Sequence, residues 1–132
     1  MTSSPAIVAL LLSAFGATAA RAEGERVAVF TKNGENPNYR AFLLGADRAA
    51  AGMGARTVHR FPRKADDPVE QTALLEAQLD ERPDAILFNP ADDKRMVAPL
   101  TRITDAGIPV VGFVNRMSGR FVSLRCRMNS AE

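Results

Sequence analysis

Four apolar runs constrain this chain more than any other feature: residues 26–30, 55–61, 85–88 and 108–114. The first, third and fourth are nearly continuous apolar stretches, the pattern of strands buried on both faces of a parallel sheet. The second alternates, with Thr57, His59 and Phe61 on one side and Arg56, Val58 and Arg60 on the other, which suits an edge strand. A further stretch, 120–124, reads as a candidate fifth strand. Between the runs lie three helical patterns. The first spans about 38 to 53, with Phe42, Ala46, Ala49, Ala50 and Met53 on one face and Gly54 to end it. The second spans about 68 to 81. It has Asp67 as N-cap, Pro68 at N1, Glu70 placed to complete a capping box, and Thr72, Leu75 and Leu79 facing inward. The third spans about 93 to 106, striped by Val97, Leu100, Ile103 and Thr104 and ended by Gly107. Strand and helix in alternation predict βαβ units. The fold class is therefore α/β, a doubly wound parallel sheet with helices on both faces.

The first 22 residues read as an address rather than as structure. Residues 6–15, AIVALLLSAF, are about the length of a signal-peptide apolar segment and too short to span a bilayer. Ala20-Arg21-Ala22 supplies the small-x-small pattern that signal peptidase cleaves. No Lys or Arg lies in residues 1–5, so the α-amino group alone provides the usual positive start. The expected division is a signal peptide over 1–22, one α/β domain over 23–124 and an irregular tail over 125–132, in a chain of 132 residues. Export to the periplasm follows, and after cleavage the chain is not an integral membrane protein.

Charge and motif content exclude several functions. The 17 basic residues are nearly balanced by 15 acids, and no Lys/Arg-rich block appears, so nucleic acid is not an expected partner. Cys126 is the single cysteine, which rules out an internal disulfide or a cysteine metal cluster. The chain has no phosphate-binding glycine loop, dinucleotide fingerprint, H-E-x-x-H or C-x-x-C. His59 is the one histidine and lies in the edge strand. The paired acids Asp66-Asp67 and Asp92-Asp93 sit at helix starts, where the macrodipole favours them. Neither an enzyme nor a cofactor or metal site is expected.

In an open α/β sheet the ligand sits beyond the carboxyl ends of the strands, where the strand order reverses. That geometry selects three loops. The loop after the first strand, 31–39, carries amides, a cation, an anion and Tyr39. Its amides suit hydroxyl groups, and a ring suits the C–H face of a sugar. Asn36 equally serves as a helix cap and Tyr39 equally packs on the core. The loop after the third strand holds Asn89-Pro90-Ala91-Asp92-Asp93, where Asp92 reads first as an N-cap, a role compatible with ligand contact. The loop after the fourth strand holds Asn115-Arg116, and Arg116 can clamp hydroxyls or carboxylates.

These residues carry a family resemblance. Val27-Ala28-Val29-Phe30, Asn36-Pro37-Asn38-Tyr39 and Gly45-Ala46-Asp47-Arg48-Ala49-Ala50 resemble the opening of the sugar-type periplasmic binding proteins, the ribose-binding-like components of ABC importers. Asp84 to Asp92 resembles their third strand and its loop, and Ala106-Gly107-Ile108-Pro109-Val110-Val111 their fourth. The resemblance covers about residues 25–124. It implies a lobe with strand order 2-1-3-4-5, a sugar or polyol ligand closed between two lobes, and the importer's membrane subunits as partners. It implies ligand-binding roles for Asn36, Asn38, Tyr39, Asp92, Asn115 and Arg116. Asn38 stands where the family commonly has an aromatic, and Asn115 where it usually has Asp, so one stacking wall and one charge-assisted contact are missing.

Family members have roughly twice this length because they need a second lobe. After Leu124 the pattern lapses, which leads us to expect a frameshift or premature stop. The alternative function is the effector-binding domain of a LacI-type transcriptional regulator. That reading needs a helix-turn-helix before the first strand, where a signal-like segment stands instead. A phosphoacceptor receiver domain needs Asp at the end of the third strand, where Asn89 stands.

Overall fold

A computed structural model describes residues 24–117 and the backbone of 122–124. The expected signal segment, the cysteine and the tail lie outside the described residues. Five parallel strands form the sheet: β1 (Arg26–Phe30), β2 (Arg56–Arg60), β3 (Ala85–Phe88), β4 (Val110–Phe113) and β5 (Val122–Leu124), in the order β2-β1-β3-β4-β5. The fold class and strand order are those expected from the sequence.

The helices cover the two faces unequally. Register pairs Ala28 with Ile86, Phe30 with Phe88 and Ile86 with Val110. By strand alternation these side chains share one face. On that face they join Leu75 of α2 (Pro68–Glu76) and Leu100 and Ile103 of α4 (Val97–Asp105) in the main core, with Leu79 of α3 (Gln78–Glu81) packed against it. The Phe30 and Phe88 rings meet at 5.3 Å between centroids. Among the described residues, α1 (Pro37–Gly52) is the one helix on the opposite face. There Phe42 stacks on Phe113 at 3.8 Å, and Asp47 accepts hydrogen bonds from Thr57 and His59 of β2. The alternation read in β2 is therefore real, and the strand lies at the sheet's edge.

Four local expectations need correction. The inner line of α1 is Leu43 and Ala50, whereas Ala49 is exposed and Met53 is 77% exposed. Asp47 is the reason. A polar residue belongs to the inner line because β2 presents Thr57 and His59 to it; Phe42, Ala46 and Ala50 do face inward as read, while counting apolar residues alone adds Ala49 and Met53 and leaves out Leu43 and Asp47. The helix expected over 68–81 is broken at Ala77. The Gln78 carboxamide donates to Leu74 O at 3.2 Å, the acceptor its own N–H would use in a continuous helix. The third helix begins at Val97 rather than near Asp93. Pro99 explains this: starting at Val97 places its missing N–H among the first-turn donors that have no partner anyway. Asp67 does cap α2, accepting from Val69 N and Glu70 N. Glu70 closes no capping box; it turns outward and accepts from Arg63 N (2.9 Å) and Lys64 N (3.3 Å), pinning the loop that precedes the helix.

Candidate functional site

Parallel strands put all their carboxyl ends at one edge, so the loops after β1, β2, β3 and β4 gather there. The loop after β1 is shaped by its own amides. Thr31 Oγ1 donates to Asn33 O, Asn36 N donates to Asn33 Oδ1, and Asn38 N donates to Asn36 Oδ1, each at 2.9 Å. Asn36 is thus the N-cap of α1. Asn38 is exposed and Tyr39 half-buried in the first turn.

After β3, Asp92 Oδ1 accepts from Lys94 N (3.0 Å) and Arg95 N (2.9 Å), which ties a turn in the loop; the helix cap expected of it is not made, because α4 starts later, with Met96 at its N-cap. After β4 the backbone makes a tight turn. Val114 has φ 64°, and Asn115 N donates to Phe113 O at 2.8 Å across it. A β-branched residue in this left-handed region is strained. The turn swings Asn115 back toward the β3 loop, where its Nδ2 donates to Pro90 O at 3.3 Å.

The result is an open cleft of ≈ 530 Å³ lined by Pro90, Ala91, Asp92, Asp93, Val114, Asn115 and Arg116. The cleft unites three of the six expected ligand residues: Asp92, Asn115 and Arg116. With Asn115 Nδ2 committed to Pro90 O, its Oδ1 is left as a neutral acceptor. Arg116 is exposed and bonds to none of the described residues. Asn36, Asn38 and Tyr39 do not line this cleft. They lie at the start of α1, one turn before the Phe42 ring that stacks on Phe113, the residue preceding Val114. A second depression of ≈ 330 Å³ lies between the loops after β1 and β2, with Asn33, Gly34, Glu35 and Phe61 among its walls. A Cβ at Gly34 would stand 2.6 Å from the edge of the Phe61 ring, so that exposed ring would have to shift to admit a larger residue.

Two buried amides at this edge escape sequence reasoning. Asn89, the first residue after β3, has 0% exposure, and among the described residues neither its Oδ1 nor its Nδ2 has a partner. Gln71 of α2 is equally buried and fully bonded to backbone of the β1 and β3 loops. The signal that could have found Gln71 is its position between Pro68 and Leu75, where an amide interrupts the apolar inner face. No group of three or more His, Cys, Asp or Glu among the described residues could hold a metal ion.

The fold is that of the periplasmic binding proteins. Residues 27–122 match the family model described as periplasmic binding protein domain. The chain belongs to that family, whose members bind solutes and are not enzymes. Among solved structures, it is similar to a solute-binding protein of an ABC transporter from Agrobacterium vitis bound with alpha-D-tagatopyranose. That match has 32% identity and a TM-score of 0.67, covering 70% of this chain and 31% of that one. It is also similar to the periplasmic component of an ABC-type sugar transport system from Hahella chejuensis, at 25% identity and TM-score 0.68, covering 73% and 35%. A protein from Actinobacillus succinogenes with bound D-allose shares the fold at 21% identity and TM-score 0.68, over 73% and 34%. The chain thus spans about a third of the length of these structures. No curated protein matches it. No helix among the described residues is long and apolar enough to cross a membrane.

Proposed function

We propose that this chain forms the ligand-facing lobe of the solute-binding component of an ABC-type sugar importer, taking a sugar or polyol in the periplasm. One observation carries the reading. The edge cleft combines an acid, a neutral amide acceptor and a guanidinium beyond the carboxyl ends of the strands, where open α/β sheets take their ligands. Hydroxyl groups both donate and accept, so a mixed set suits a neutral polyhydroxy ligand better than an ion. Asn115 Oδ1 and Asp92 accept from hydroxyls, and Arg116 donates to them. Asn36, Asn38 and Tyr39 complete the surface from the start of α1, with Tyr39 stacking on a C–H face. The tagatose-bound relative supports a monosaccharide-sized ligand.

Cleavage after Ala22, delivery to the periplasm and docking on importer membrane subunits belong to the same reading. The family match supports it over an effector domain of a transcriptional regulator. The test is calorimetric and thermal-shift titration of the chain with D-tagatose, D-allose, D-ribose and glycerol. At least one should stabilise it, and loss of that effect in Arg116→Ala should follow. A single lobe is expected to bind weakly, since closure of two lobes buries most of the ligand; if a form of the protein carrying both lobes binds none of the four, the sugar assignment fails.

A further inference from the structure

The Gln71 side chain, in the first turn of α2, spends both of its polar groups on the loops at the carboxyl edge of the sheet. Its Nε2 donates to Asn89 O at 2.9 Å and to Thr31 O at 3.3 Å, while its Oε1 accepts from Ala91 N at 2.8 Å. Thr31 opens the loop after β1, and Asn89 and Ala91 belong to the loop after β3. The residue is fully buried, as are Thr31 and Asn89. These three backbone groups lie past the last ladder pairing of β1 with β3, at Phe30 and Phe88. Beyond that point the two strands would be free to splay. A buried carbonyl or N–H left without a partner is costly, so the carboxamide is the group that allows both loops to leave the sheet while staying together.

We infer that Gln71 is a positioning residue of the ligand site, a clasp that sets the spacing between the β1 loop and the β3 loop without touching ligand itself. The inference rests on the sugar-binding reading for its functional half, but its structural half stands alone. It acts through two groups at the site. Ala91 lines the cleft directly. Asn89 is followed by Pro90, whose carbonyl receives Asn115 Nδ2. The clasp therefore reaches the Asn115–Arg116 side of the cleft in two steps, and the Asn36 side through Thr31, whose hydroxyl holds Asn33.

The test uses the whole chain with Gln71→Met, which keeps the bulk of the side chain, and Gln71→Glu, which keeps the acceptor for Ala91 N. Hydrogen exchange is read by residue, alongside the denaturation midpoint. In Gln71→Met the Ala91 amide should exchange roughly tenfold faster relative to the amides of β1 and β3, one lost hydrogen bond's worth. A uniform loss of protection across the sheet would reduce Gln71 to a core-filling role and overturn the clasp. In Gln71→Glu the ionised carboxylate faces two carbonyl oxygens, and on protonation it regains a donor. Its Ala91 protection and stability should recover toward the parent's as pH is lowered from 7 to 5, and a variant-to-parent difference that does not change with pH overturns the clasp. Sugar affinity is the second arm. If the parent binds and Gln71→Met binds roughly tenfold more weakly, the positioning role holds; equal affinity sinks it. If the parent binds none of the sugars, the exchange data alone decide the clasp.

Discussion

Val114 holds the left-handed backbone of the turn after β4 although it is β-branched, and its side chain is 59% exposed. Strain of this kind costs about 1–3 kcal/mol and persists where the surroundings demand a particular direction of the chain. Here it directs Asn115 to Pro90 O and leaves Arg116 at the cleft. Val114→Gly should therefore stabilise the domain by about 1 kcal/mol, because glycine accepts the conformation freely and little buried apolar surface is lost. Urea denaturation reads the gain. The same variant should bind sugar more weakly, since a freed turn no longer holds Asn115 in place. Residues whose work is local were legible in the sequence. Asn36 and Asp67 cap helices two or three residues away, and their spacing announces it. The burial of Gln71 left a trace in the pattern of α2, but its partners were not legible, because they lie 18 and 40 residues distant. Val114 was not legible either, since nothing in a continuous apolar run marks where the chain reverses.

Among the elements, α2 with the loop before it and α1 hold the described carboxyls whose bonding lowers their pKa. Backbone N–H donors, chiefly that of Glu70, hold the Asp67 carboxyl below its ordinary value. The Arg63 N–H leads the group that does the same for Glu70. The Thr57 hydroxyl, with help from His59, lowers Asp47 on α1. A carboxyl whose pKa is lower folded than unfolded stabilises the fold above its unfolded value, and that contribution is lost as pH falls through the folded one. Stability should thus hold near neutrality and decline below about pH 4. A pH series of denaturation midpoints checks this. In Asp67→Asn with Glu70→Gln the decline should be shallower. The core face of the same helix is less forgiving. Leu75 has no exposure, and Leu75→Ala should cost about 2–5 kcal/mol, read by the same denaturation. The elements themselves were readable from apolar periodicity, and β1 and β3 fall where it puts them. The late start of α4 was missed, because the helical pattern runs on from Asp93 and hides the constraint that Pro99 sets. The inner line of α1 was missed in part, because Asp47 is polar and its reason for facing inward sits on another strand.

For the whole molecule, the loops at the carboxyl edge are joined to one another rather than merely adjacent. Asp66 N donates to Lys32 O at 2.9 Å, Gln71 joins the loops after β1 and β3, and Asn115 joins the latter to the turn after β4. The topology that brings these loops together was visible in the alternation of strands and helices. The cross-bonds were not, since each depends on side chains meeting across separate βα units. Such a surface has met most of its ordering cost when the chain folds. A solute arriving at it finds its partners already placed and displaces water from a polar, open cleft. In a calorimeter the encounter should register as released heat with a small change in heat capacity, the signature of hydrogen bonds made on a surface that barely rearranges. A large negative heat-capacity change on binding would instead report that segments of the chain fold around the sugar.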